Sequence, residues 1–369
     1  MSGLCRFADV PPGPGGGNLG RMSLPDRAAR PAPAPGAPAC PKRMLYGPCG
    51  GVRDDLRCEL DDRRCPFTEI PLPRWSGPVP VPVEPPSGGL LDRARTGPVV
   101  LSDLTVRPFD RASLRRVVGV LAPVSDGLLA GEHQGHPDFP PTVLAAEVLA
   151  AGGRPWTTLA CRDRNRVVLE QELAGLAAVG VDGVLCVTGD GRGPGVRPDV
   201  TQVFDVDGTR LTALATAAGL VAAVPEAPEA EPQELRPARV AEKERAGARL
   251  CVLNHVSSPA RVARFVAAAR AAGATVPFVA AVAVYTDEHS ARVLQRFPGL
   301  HLDDDAVAAV LAAPDPRAAG IRAAVDEARA LLAVPGVVGV NLSGLGSARG
   351  EDAGAEAKAE VATAVRQAG

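Results

Sequence analysis

Residues 156–191 read WTTLACRDRNRVVLEQELAGLAAVGVDGVLCVTGDG, and this run decides the fold. An apolar stretch at 156–161 ends in a polar cluster, an amphipathic segment at 167–179 stops at Gly180, and a second apolar stretch at 183–188 ends in Thr188, Gly189 and Asp190. That succession is one strand–helix–strand unit. A parallel strand covered on both faces reads as continuous apolar sequence, and glycine supplies the left-handed helix stop. The unit recurs outward from about residue 97 to the last residues. Further strands are expected at 99–103, 127–129 with the residues before it, 219–224, 249–253, 278–284 and 337–341, and further helices at 142–151, 238–246, 259–272 and 321–332. Eight strands at this spacing predict an α/β fold closed as a (β/α)8 TIM barrel, which takes roughly 250 residues. A doubly wound open sheet shares the local pattern and is the alternative.

The flanks differ in kind. Residues 1–38 carry GPGGG and PAPAPGAPA, a composition that cannot bury apolar surface, and are expected to be a disordered tail. Residues 39–70 form a cysteine-rich, loop-like module and 71–96 a stiff, proline-rich linker, leaving 97–369 for the barrel. With 40 Lys and Arg against 42 Asp and Glu, the net charge of -2 provides no overall field toward nucleic acid or an anionic membrane, and 3% aromatic residues leave few rings for base stacking. Neither partner is expected. The absence of a long apolar run and of a secretory leader pattern makes a cytoplasmic protein the expectation.

In a parallel barrel functional side chains collect where strands turn into helices. The expected ends carry Asp103; Asp126; Cys161 to Asn165; Thr188, Gly189 and Asp190; Glu226; Asn254 and His255; Tyr285 to Asp287; and Asn341 to Ser343. Short polar residues at such places also cap the following helix whatever the protein does. Arg162, Asp163, Arg164 and Asn165 ask for more. Two arginines directly behind a buried strand cost solvation unless they hold an anionic ligand or form a mutual ion-pair network. The loop after Asp190 is glycine-rich but follows neither the GxGxxG nor the GxxxxGK[ST] order, so a bound cofactor is held by the barrel and not by a Rossmann unit. His133 and His136 lack the acidic and cysteine companions of a metal site, and His255 is expected to cap or hydrogen-bond.

TTLACRDRNR (157–166), VDGVLCVTGDG (181–191), VFDVDGTRL (203–211) and EKERAGARL (242–250), in this order and spacing, resemble the methylenetetrahydrofolate reductase family over about residues 98–341. The resemblance implies a flavin-binding barrel that reduces 5,10-methylenetetrahydrofolate to 5-methyltetrahydrofolate, with hydride from a reduced nicotinamide or electrons from a protein donor passing through FAD. It makes Asp190 the carboxylate beside the flavin and Lys243 a contact of the FAD phosphates. Thr158, Arg162, Asp163, Arg164, Asn165, Thr188 and Gly189 complete the implied cofactor shell. Asp103 stands in the place of the family's general-acid Glu, one methylene shorter. Asn254 replaces a pterin-contacting Gln and, with Tyr285, is expected to bind the folate substrate. Thr158 and Val224 stand where many members have a His and an aromatic ring that help hold FAD.

CPKRMLYGPCGGVRDDLRCELDDRRC (40–65) resembles the cysteine-rich domain attached to, or encoded beside, reductases of that family. Cys40, Cys49, Cys58 and Cys65 are separated by eight, eight and six residues, neither a CxxC ribbon nor a ferredoxin run. Four thiolates in a reducing compartment are expected to hold zinc or an iron–sulfur cluster, with free structural thiols as the alternative. Two functions follow. One is a flavin-dependent reductase with Asp103 and Asp190 as catalytic residues. The other is a catalytically silent folate-binding or accessory barrel that assembles with a partner reductase through the cysteine module.

Overall fold

The computed structural model describes residues 40–193, 195–256, 258–296, 300–344 and 346–367, and the tail expected at 1–38 lies outside them. Eight parallel strands pair in sequence order: β1 (Val99–Leu104), β2 (Gly127–Ala130), β3 (Pro155–Ala160), β4 (Gly183–Val187), β5 (Ala222–Glu226), β6 (Ala248–Leu253), β7 (Phe278–Ala283) and β8 (Val337–Ser343). Leu101 pairs with Gly127 on one side and Asn341 on the other, so the sheet closes and the open-sheet alternative falls. Closure leaves no unpaired edge.

The outer layer comprises α2 (Arg111–Leu121), α3 (Pro141–Ala150), α4 (Arg166–Val179), α5 (Gly208–Ala217), α6 (Arg236–Arg245), α7 (Pro259–Ala271), α10 (Pro316–Leu332) and α11 (Glu351–Arg366). Two short helices precede α10 in the β7–β8 crossover, α8 (Glu288–Gln295) and α9 (Asp304–Leu311). Neither registers in the apolar pattern, because two turns offer too few positions for a 3.6-residue period. Strand β5 starts later than expected. Gly219 (φ 80°) terminates α5 in the left-handed region, and the Leu220 N–H returns to the Ala215 carbonyl at 3.0 Å, so 219 and 220 belong to the helix stop.

The barrel interior is filled by Val99, Leu101, Leu129, Trp156, Leu185, Ala223, Leu250, Val252 and Val279. The Trp156 indole takes the room of two glycines on flanking strands, since a Cβ at Gly127 or Gly183 would come within 2.7 or 2.5 Å of it. Leu90 and Leu91, in the residues expected to be linker, belong to the same cluster. Their four-residue helix α1 (Leu90–Arg93) therefore plugs the N-terminal end of the barrel. Asp126 lies at that end too, correcting its expected place among the functional strand ends. It precedes β2, accepts from the Val100 N–H (2.8 Å) and pairs with Arg93 and Arg366, so it is a structural carboxylate.

Residues 40–70 fold around Met44, Val52, Cys65 and Phe67, with Cys40, Cys49 and Ile70 packed against them. The chain then straps down the barrel wall. The Trp75 N–H donates to Glu242 of α6 (2.7 Å), Pro80 lies beside Gly247 at the start of β6, and Val83 packs on the bottom cluster.

Candidate functional site

The C-terminal ends of β2, β3 and β4 enclose a cavity of about 290 Å³. The β2–α3 loop walls it with Glu132, His133, Gln134, His136 and Asp138, while Thr157, Thr158, Asp163 and Arg164 reach it from β3 and the segment that follows. Arg192 and Arg197 close the rim, and Pro141 and Leu144 of α3 give it an apolar side. Thr157 is 1% exposed, and its hydroxyl has no hydrogen-bond partner among the described residues. A buried orphan hydroxyl costs about 1–3 kcal/mol unless something else satisfies it.

The charges around the cavity form the mutual ion-pair network that was one of the two readings of CRDRNR. Asp163 bridges Arg162 (3.0 Å) and Arg192 (2.7 Å), and Arg164 pairs with Glu132 at 2.9 Å. Burial works to raise the Asp163 pKa, but the hydrogen bond from Arg192 and the Arg162 charge outweigh it and hold the carboxyl below its usual range. For Glu132 burial wins over Arg164, and its pKa rises. Arg162 also donates to the carbonyls of His133 (2.9 Å) and Asp190 (3.4 Å), tying the β2 loop to the β4 end. Asn165 is the N-cap of α4, accepting from the Val168 N–H at 3.0 Å.

At the β4 end the cysteine-rich module sits directly on the strand. Lys42 donates to the Gly189 carbonyl (2.7 Å) and pairs with Glu59, which accepts from the Gly191 N–H (2.8 Å). The Thr188 hydroxyl accepts from the Gly208 N–H (2.9 Å) and faces the Met44 sulfur, and the Leu45 N–H donates to Asp207 (2.8 Å). Asp190 accepts from Gln134 (3.3 Å). Its burial raises its pKa against the opposing charge of Lys42.

Beneath the module, Glu226 at the end of β5 takes three cations from one face of α6: Arg236 (3.4 Å), Arg239 (3.2 Å) and Lys243 (2.8 Å). Burial alone would raise the Glu226 pKa, but the charges of Arg239, Lys243 and Arg236 pull it down to about 2. Lys243 is thus placed in this buried cluster and not at the cavity. Arg236 also donates to the carbonyls of Pro48 (3.3 Å) and Cys49 (2.8 Å), fixing the GPCGG turn to the barrel.

Across the mouth, Asp103 accepts from Asn341 (3.0 Å) and Ser343 (2.8 Å), and Lys358 of α11 donates to its backbone carbonyl at 2.7 Å. Burial lowers the Lys358 pKa to about 8 despite the Asp103 charge. Asn254 donates its N–H to the Glu226 carbonyl at 2.9 Å. His255 is held between the His301 carbonyl (2.6 Å) and Glu327 (2.7 Å), the hydrogen-bonding role expected of it. Tyr285 packs with Leu294, Val307 and Val310 under α8 and α9. The three groups therefore stand apart: Thr158, Asp163 and Arg164 at the cavity, Thr188 to Asp190 and Lys243 against or below the module, and Asp103 at the β1–β8 side.

Among the described residues, no set of three or more His, Cys, Asp or Glu is arranged to hold a metal ion, and the described cysteines are free thiols. Burial raises the pKa of Cys40 (to about 11), Cys49 and Cys65. Residues missed in the sequence are Glu132, Gln134 and Arg192 at the cavity, Lys42 and Glu59 at the docking face, and Arg236 and Arg239. The last two had a legible signal, because 236, 239 and 243 share a helix face.

No protein-family model matches the chain, and no curated protein sequence does. Among solved structures, an uncharacterised Clostridium thermocellum protein that binds two copies of 5-methyl-5,6,7,8-tetrahydrofolic acid superposes with a TM-score of 0.53 at 11% identity, covering 75% of this chain and 99% of that one. Tryptophan synthase from M. tuberculosis follows with a TM-score of 0.43 at 14% identity (74% and 94% covered), and oxaloacetate acetylhydrolase with 0.42 at 15% (70% and 81%). At these identities the likeness is one of fold.

Proposed function

We propose that the barrel binds a reduced folate in the cavity at the ends of β2, β3 and β4 and acts as a folate-binding protein of one-carbon metabolism. The observation that carries this reading is that Thr157, Thr158, Asp163 and Arg164, all from one of the four segments that resemble the methylenetetrahydrofolate reductases, line one cavity. Its 290 Å³ lies near the lower end of ligand pockets and suits one bicyclic ring. Glu132, Asp163 and the Thr157 hydroxyl offer acceptors for a pterin's ring N–H and amino group, while the rim arginines, Arg192 paired with Asp163 and Arg197 with the exposed Asp199, would meet a glutamyl carboxylate by exchanging those partners. The structural likeness to a methyltetrahydrofolate-binding barrel is consistent with it.

The flavin-dependent reductase is the competing reading, and the contacts present do not fit FAD as they stand. Lys243 is held by Glu226, the β4 end is covered by Lys42 and Met44, and Asn165 caps a helix. These engagements favour a silent or accessory barrel over a reductase. The module's partner-facing side would lie away from Lys42, Leu45 and Cys49, which contact the barrel. Cys40, Cys49 and Cys65 read as structural thiols packed on Met44 and Phe67.

Calorimetric titration of the purified protein with 5-methyltetrahydrofolate is expected to show saturable binding, weakened about tenfold by Arg164→Met. Failure of the wild type to bind removes the proposal. A yellow flavin spectrum, with reduced flavin reoxidised by methylenetetrahydrofolate, would establish the reductase instead. Stoichiometric zinc or iron after anaerobic purification would overturn the reading of the thiols.

A further inference from the structure

We propose that the cysteine-rich module positions the ligand cavity: Lys42 is a positioning residue that holds the 189–192 segment and, through Asp190 and Gln134, the β2–α3 loop walling that cavity. Lys42 is 1% exposed, an unusual burial for a lysine, and its ammonium crosses from the module to the Gly189 carbonyl at 2.7 Å. Its partner Glu59 grips the same segment from the other side through the Gly191 N–H at 2.8 Å. Asp190 lies between these two anchors. The module therefore fixes the backbone on both sides of one carboxylate.

That carboxylate is one point where the cavity loop is held, beside the Arg162 bond to the His133 carbonyl and the Arg164–Glu132 pair. Gln134 donates to Asp190 at 3.3 Å, and the Gln134 carbonyl accepts from Arg192 at 2.9 Å. Arg192 continues to Asp163 at 2.7 Å, and Gln134, Arg192 and Asp163 all line the cavity. The β2–α3 loop has no strand or helix of its own between Gly131 and Pro140. Its position depends on such side-chain contacts. A Cβ at Gly191 would lie 2.0 Å from Leu60 of the module, so the segment that carries Asp190 is shaped to meet the module closely. The consequence for folate binding rests on the proposed function, whereas the mechanical link does not.

The test is hydrogen–deuterium exchange on the full chain, with titration by 5-methyltetrahydrofolate alongside. Lys42→Met is expected to raise exchange of residues 131–138 about fivefold and to weaken 5-methyltetrahydrofolate to a similar extent, with Lys42→Arg retaining most of the protection. Gln134→Leu, a half-buried loop position that leaves the module contacts intact, should loosen the same residues, and the double variant should do no more than either single one. Unchanged exchange at 131–138 in Gln134→Leu and Lys42→Met, or full additivity of the two, overturns the proposal. If Lys42→Met does not fold, Gln134→Leu alone decides it by the same reading. Loosening of 131–138 in a protein that binds no folate even as wild type would sustain the link while removing the proposed function.

Discussion

Substituting Glu226 by alanine leaves Arg236, Arg239 and Lys243 buried around a vanished counter-charge. Uncompensated buried charge costs about 3–5 kcal/mol, so Glu226→Ala is expected to lower the urea midpoint by a corresponding amount or to prevent folding. His255 gives a pH signature. Burial pushes its pKa down, but the hydrogen bond and charge of Glu327 outweigh this and the net shift is upward from 6.5. Below the ordinary value the ring is protonated folded or unfolded, and the pair contributes fully. As pH rises through the raised folded value, that contribution is lost. The stability difference between wild type and Glu327→Gln should therefore be largest below pH 6.5 and shrink as the pH rises above it in urea titrations. A constant difference would show that the pair does not titrate. The partner of His255 was not legible in sequence, because Glu327 follows it by 72 positions.

Among elements, α4 separates a cap from a ligand. Asn165 accepts from the Val168 N–H, the bonding that an N-cap requires. Asn165→Ala is expected to cost about 1 kcal/mol in thermal stability and to leave ligand affinity unchanged; a loss of affinity without a loss of stability would return Asn165 to the binding shell. Strands and long helices were readable because burial on one or both faces imposes a period on the chain itself. The bounds of β5 were not, since the apolar residues 220–221 continue its pattern while Gly219 and Leu220 are still closing α5. The helices α8 and α9 escaped for want of length.

At the scale of the molecule, the module, strap and plug wrap one barrel from its mouth to its base. The closest glycine fit between module and barrel is Gly191 against Leu60, where Gly191→Ala would place a methyl about 2.0 Å from that side chain. This variant is expected to lift the module, seen as faster trypsin cleavage at Arg57, Arg63 and Arg64 with the barrel still folded; unchanged cleavage would mean that Leu60 yields instead. The sequence by itself determined the eightfold strand–helix repeat and the polar character of its strand ends, because each depends on how a short segment alternates between core and solvent. It also marked CRDRNR as needing either a ligand or internal partners. Only the tertiary structure supplied those internal partners, closed the sheet into a barrel, brought Lys42 to Gly189 across 147 positions, and moved Asp126 to the opposite end of the barrel. Charge pairing and hydrogen bonding fall off over a few ångströms of space, and no local pattern along the chain records which distant groups closure of the barrel makes neighbours.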